Sequence, residues 1–186
     1  MDEISAPRIV EVDHSKTLNA LRARRVAAAP AAPRGSRAAG AGGAWQALSA
    51  REFDAEVVAV AKGLVARGIQ PGDHVGIMSR TRYEWTLLDW ATWAAGAVPV
   101  PLYETSSPEQ VQWILSDADV RLLVVETEAH AATVEEVRDQ APALQDVLAI
   151  DAGAISTLTA DCAGVDDAAC VRRRGLADHA GVAARG

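Results

Sequence analysis

Phenylalanine occurs once, tyrosine twice and cysteine twice in this 186-residue chain. The two cysteines, Cys162 and Cys170, are too few for a disulfide framework and have no histidine beside them to make a metal knuckle. That scarcity fits a reducing compartment, so the expectation is a cytoplasmic protein. No uncharged apolar run approaches the roughly 18 residues a membrane span needs. The acidic opening MDEISAPRIVEVDHSK has no apolar stretch of the secretory kind. Histidine is limited to His14, His74, His130 and His179, with no H-E-x-x-H and no C-x-x-C, so a catalytic metal site has little support. There is no G-x-S-x-G nucleophile elbow and no glycine loop ending in Gly-Lys-Ser/Thr.

Large apolar side chains are absent from residues 22–43, RARRVAAAPAAPRGSRAAGAGG, apart from Val26. Such a stretch buries too little surface to offset its ordering entropy, and residues 1–44 read as a low-complexity, flexible arm. Positive charge is also scarce where it would matter for nucleic acid. The net charge is −7; residues 1–44 carry an excess of 3 positive charges, residues 45–150 an excess of 9 negative ones, and residues 151–186 an excess of 1 negative. The acidic middle offers no basic stripe for a phosphate backbone, and nucleic acid is excluded as a partner.

What is present is concentrated between Trp45 and Asp151. Ser49 and Glu52 form an S-x-x-E capping box. Phe53, Val57, Val60 and Leu64 then recur at helical spacing, and Gly68 stands where a helix C-terminus wants a left-handed residue. Pro71-Gly72-Asp73 is a turn, and residues 74–79 are a short apolar strand. Thr81 and Glu84 make a second capping box before a helix ending at Gly96, apolar nearly all round. Residues 97–102 are extended, but Pro99 and Pro101 each remove a ladder donor, which predicts an edge or irregular strand. Ser107 before Pro108 opens a third helix, to Asp119. Residues 120–126, VRLLVVE, read as a strand covered on both faces. A helix over 128–140, ended by Pro142, and a strand at 147–150 complete the alternation. Four strands and four helices with short connections predict a three-layer αβα fold with a mostly parallel sheet and right-handed crossovers, over 45–151. Residues 152–186 lose periodicity and read as a weakly structured or disordered tail.

The search for chemistry within this pattern finds little. Glu135-Glu136 and Asp166-Asp167 are adjacent and do not share a face; they read as solvated surface. Arg172, Arg173 and Arg174 read as a solvated patch rather than a phosphate site. Trp85, Trp90, Trp93 and Trp113 at helical spacing read as core rather than a ligand pocket. Arg80 and Arg82 at a helix N-terminus have the charge to hold an anion. Surface charges near Glu84 are the preferred reading.

Three segments, in order, resemble the opening part of the long-chain fatty acid–CoA ligases, members of the AMP-forming adenylating enzymes. They are WQALSAREF from Trp45, AKGLVARGIQPGDHVGIMSRTRYEW, and WAAGAVPVPLYETSSPEQVQWILSDADVRLLVVE. The Y-E-T-S-S form at Tyr103 to Ser107 points to the long-chain branch. The resemblance implies an incomplete N-terminal subdomain of an AMP-forming ligase. It implies a reaction in which a long-chain fatty acid attacks ATP to give acyl-adenylate and CoA then displaces AMP, with Mg²⁺ neutralising phosphates. The family's phosphate loop, aromatic-Gly-x-Thr-Glu segment, ribose-binding Asp and C-terminal Lys have no counterpart in this sequence. Catalytic, cofactor-binding and metal residues are therefore none, and no cofactor is expected on this stretch alone. ATP, Mg²⁺ and CoA belong to the full-length family, as does peripheral membrane contact. The composition of 22–43 and of the tail from about Asp167 departs from the family, and the expectation is a truncated or frame-disrupted ligase, inactive alone. An exposed half-sheet would invite aggregation or covering by a partner. The alternatives are a non-catalytic interaction module and a small nucleotide-binding α/β protein.

Overall fold

The computed structural model describes residues 17–38 and 45–161. Thr17 caps α1 (Leu18–Ala28), its hydroxyl accepting from the Ala20 amide. Two strands, β1 (Pro33–Ala38) and β2 (Trp45–Ser49), pair antiparallel as a separate ribbon. Then come α2 (Ala50–Ala66), β3 (His74–Met78), α3 (Tyr83–Ala94) and β4 (Val98–Leu102). After them follow α4 (Pro108–Asp117), β5 (Val120–Val125), α5 (Glu128–Glu135), a 3-10 turn at Arg138–Gln140, β6 (Asp146–Ala149) and α6 (Ala154–Asp161). The sheet runs β4-β3-β5-β6 with every pair parallel.

Alternation along β5 from Leu122 to Val125, beyond an irregularity in its pairing with β3 near Arg121, builds the three layers. Leu122 and Val124 join a core with Val57, Val60 and Leu64 of α2, Leu87 and Leu88 of α3, and Leu158 of α6. Val120, Leu123 and Val125 point the other way and pack with Val111 and Leu115 of α4 and Val134 of α5. Both faces of the strand are covered, as its continuous apolar run requires. Each fully buried Leu or Val contributes about 1.5–3 kcal/mol.

The edge position expected for the proline-bearing strand is the one β4 occupies. The Val98 amide donates inward to the Asp73 carbonyl at 2.9 Å. Residues 98, 100 and 102 therefore face β3, and Pro99 and Pro101 fall on the outward parity. The outer margin of β4 thus offers no amide from either proline.

Capping follows the sequence at Ser49 and Ser107, where both reciprocal bonds with Glu52 and Gln110 are present. It departs at the third helix. The N-cap of α3 is Arg82, with no side-chain cap bond, and the Thr81–Glu84 box does not form. Thr81 stands one residue too early, and Glu84 is held instead by Arg82 at 2.7 Å. The helix expected over 128–140 is shorter: α5 ends at Glu135 and only the 3-10 turn follows. Residues 45–49, given no element by the sequence pattern, form β2.

Two further expectations need correction. Composition predicted a flexible arm over residues 1–44, yet α1 and β1 occupy 18–28 and 33–38. The anchors are polar, which an apolar count cannot see. Asn19 Nδ2 donates to the Trp93 carbonyl at 2.8 Å, and Arg22 forms an ion pair with Asp54 of α2. The ribbon needs only backbone bonds from β1. Similarly, the start of the tail expected over 152–186 is helical: α6 buries Ala154 and Leu158 against α2. Arg67, at the end of α2, ties it down through Asp161 while also holding Asp146 of β6. His14, Cys162, Cys170, Arg172, Arg173, Arg174 and His179 lie outside the described residues.

The tryptophans are not a uniform core. Trp85 and Trp90 are half-buried against the α2–α3 cluster, and Trp90 meets Trp93 edge-on at 5.3 Å. Trp113 is 63% exposed. An amphipathic α4 seats Val111 and Leu115 and turns position 113 to solvent.

Asp89 on α3 is half-buried, and desolvation raises its carboxyl above the ordinary range. A folded pKa raised above the unfolded one favours the fold below the unfolded value, near 3.9, and that advantage is lost as pH rises through the folded value. Asp89→Asn is therefore expected to stabilise the protein at neutral pH and to make no difference below about pH 3. Urea denaturation at several pH values checks this; an equal effect at all pH values would refute it.

Candidate functional site

In an open parallel sheet, ligands sit outside the carboxyl ends of the strands where the strand order reverses. That place lies between β3 and β5, since the chain leaves β3 for β4 on one side and returns to β5 on the other. The segments that meet there are Ser79 to Arg82 after β3 and Glu126-Thr127 after β5. Asp151, beyond β6, borders them.

Glu126 occupies the crevice. Its residue is 3% exposed. One carboxylate oxygen accepts from the Arg80 amide at 3.0 Å and the Ser79 hydroxyl at 3.3 Å. The other faces Arg80 Nε at 2.6 Å and Arg82 Nη1 at 3.4 Å. The backbone joins in: the Glu126 amide donates to the Met78 carbonyl at 2.9 Å, and the Glu126 carbonyl accepts from the Asp151 amide at 3.0 Å. Arg82 continues the network to Glu84 and, at 3.0 Å, to Asp151. The hydrogen bond with Glu84, working against partial burial and joined by Asp151, raises the Arg82 guanidinium above its ordinary value, so it is charged at any accessible pH.

Arg80 and Arg82 are therefore more than surface charges near Glu84. Arg82 does pair with Glu84, but both arginines are also drawn onto a buried carboxylate that no local sequence motif marks for this role. The one signal available was the single acid ending VRLLVVE. Nothing here is poised as a nucleophile or base: each guanidinium and the carboxylate is engaged with an opposite charge. Among the described residues no group of three or more His, Cys, Asp or Glu is placed to hold a metal. A polar cavity of about 410 Å³ lies at the opposite, amino ends of the strands, between Asp73, His74 and Arg121. There Arg121 pairs with Asp73 at 3.3 Å.

The sequence profile of the AMP-binding enzymes matches residues 23–177. This chain belongs to that family. It is 45% identical over 132 residues to the long-chain-fatty-acid–CoA ligase FadD15 of Mycobacterium tuberculosis, which covers 69% of this chain and 22% of that protein. It is 26% identical over 104 residues to the long-chain-fatty-acid–CoA ligase ACSBG2 of Xenopus laevis, covering 56% of this chain and 14% of the relative. The chain thus spans about a fifth or less of the length of these curated relatives. Among solved structures, the long-chain-fatty-acid–CoA ligase FadD1 of Archaeoglobus fulgidus superposes with a TM-score of 0.66 at 18% identity, over 86% of this chain and 32% of the other. The N-terminal domain of FACL13 from M. tuberculosis gives 0.65 at 20% identity, over 81% and 37%. These likenesses establish the fold: the α/β architecture is that of the N-terminal portion of AMP-forming ligases. The matched profile begins at residue 23, within the segment whose composition suggested an arm.

Proposed function

We propose that this chain provides the opening scaffold of a long-chain fatty acid–CoA ligase, an enzyme that activates a fatty carboxylate with ATP and passes the acyl group to CoA. The observation that carries the reading is the 45% identity with FadD15 over 132 residues. The family chemistry would require ATP, Mg²⁺ and CoA. The described residues do not fit a triphosphate: the donors at the crevice, Ser79, Arg80 and Arg82, are already committed to Glu126, Glu84 and Asp151. No step of the reaction is assigned to them. In this reading the cluster fixes the strand ends on which later parts of such a domain are built, and the catalytic groups come from segments other than those described here. The place of action is the cytoplasm; among the described residues no helix is long and apolar enough to cross a membrane.

ATP–pyrophosphate exchange tests this in two forms. The isolated chain is expected to give no exchange with any fatty acid. A FadD15 chimera whose corresponding segment is replaced by residues 45–161 of this chain is expected to retain exchange. A folded chimera without exchange would overturn the scaffold reading, and robust exchange by the isolated chain would overturn the assignment of the catalytic groups elsewhere.

A further inference from the structure

α1 meets the body with its polar side. Its inward residues are Asn19 and Arg22, while Leu18 and Leu21 stand close to half exposed. Two anchors hold it. Asn19 Nδ2 donates at 2.8 Å to the Trp93 carbonyl of α3, which already accepts from the Gly96 amide. Arg22 pairs with Asp54 of α2. The seat around these anchors is loose. A cavity of about 210 Å³ lies beside Asn19 and Trp93, and one of about 340 Å³ beside Leu21, Phe53 and Trp90. Atoms that line such gaps forgo dispersion contacts on one side. Asn19 Oδ1 is buried and, among the described residues, accepts no hydrogen bond. Release of α1 would return that acceptor to water.

Charge supplies what packing does not. α1 holds Arg22, Arg24 and Arg25 and no acidic residue, and it lies on a body whose residues 45–150 carry an excess of 9 negative charges. The chain just after α1 is fixed differently. The Ala50 amide donates to the Ala32 carbonyl at 2.9 Å and the Arg51 amide to the Pro30 carbonyl at 3.0 Å, so backbone bonds pin this connection to the start of α2. A helix held by charge, joined to a connection held by backbone, has its hinge at the C-cap, Ala29.

We propose that α1 is a salt-sensitive strap. It swings off α2 and α3 about Ala29 as a unit, β3 to β6 stay folded, and the swing uncovers Phe53 and Trp90. Segments with few buried apolar contacts open at free energies well below that of global unfolding. Salt drives the opening because it screens the attraction between the arginines and the acidic body. The buried Arg22–Asp54 pair is screened least and acts as the catch. The inference does not rest on the ligase reading. The FadD15 chimera carries residues 45–161 and lacks α1, so its exchange activity and the strap fail separately.

Amide hydrogen exchange of the full chain in low and high NaCl, read by mass spectrometry, is the test. The Debye length is roughly 30 Å at 0.01 M and roughly 3 Å at 1 M. Residues 18–28 are expected to be protected at the lower concentration. At the higher one they should exchange about tenfold faster, which corresponds to about 1.4 kcal/mol, while β3 and β5 keep their rates. Asp54→Asn releases the catch and should speed exchange in 18–28 at least tenfold at low salt, again with β3 and β5 unchanged. Should that variant fail to fold, Arg24→Gln, at an exposed position, should speed it about threefold and shrink the salt response. Protection lost in 18–28 only together with β3 and β5 overturns the proposal. So does exchange in 18–28 that salt leaves unchanged or slows, absence of protection there at low salt, or a folded Asp54→Asn variant that exchanges at the parent rate.

Discussion

Gly63→Ala is expected to dislodge α6 and lower stability by about 3 kcal/mol. The direction runs against helix propensity, which favours alanine over glycine in a helix interior by about 1 kcal/mol. Packing overrides propensity here. A Cβ at position 63 would lie 2.0 Å from the Leu158 carbonyl oxygen and 2.6 Å from its carbon, both backbone atoms that no rotamer change can withdraw. α6 must shift as a body, and the fully buried Leu158 then loses its seat against α2. Urea unfolding of the single variant measures the loss. A second comparison isolates its cause: in a chain ending at Gly153 the same substitution should stabilise by about 1 kcal/mol, because only propensity remains. A stabilising effect in the full chain would show that α6 does not rest on Gly63.

The second large effect is expected at Glu126. Removing one partner of a buried ion pair costs about 3–5 kcal/mol because the other charge is left uncompensated. Arg80 is 70% exposed at its side chain and can turn to water. Glu126→Ala should therefore fall at the low end, near 3 kcal/mol. Glu126→Gln should cost less, since its amide oxygen can still accept from the Arg80 backbone or the Ser79 hydroxyl. Denaturant midpoints give the energies. Amide hydrogen exchange should show faster exchange confined to residues 79–82 and 151, the segments that Glu126 joins. A cost below about 1 kcal/mol, or protection lost evenly across the sheet, would mean that the cluster does not hold the strand ends.

These two sites mark where sequence reading worked and where it stopped. The order of helices and strands from Ser49 to Ile150 was legible because its signals are local. Ser49 with Glu52 and Ser107 with Gln110 satisfy their own backbone donors within one turn. VRLLVV needs both faces covered whatever the partners are, and two prolines exclude β4 from the sheet interior. The failures that bear on the site and on the two ends of the described chain are long-range. Thr81 looked like a cap, but Arg82 takes Glu84 into a network reaching Asp151, 69 residues away. α1 is held by Asn19 and Arg22 reaching α3 and α2, and no hydrophobic period announces such anchors. α6 depends on the absence of a side chain at Gly63. Glu126, the centre of the candidate site, was one charge at the end of an apolar run. Its significance appears only when the loops after two non-consecutive strands are brought together.

The outward-turned prolines of β4 have a consequence for assembly. A visiting backbone at that flank meets carbonyl acceptors with no complementary proline amides, so registry cannot propagate there. The opposite margin, β6 (Asp146–Ala149), carries no proline, so the two borders of the sheet differ in the donors they offer a backbone.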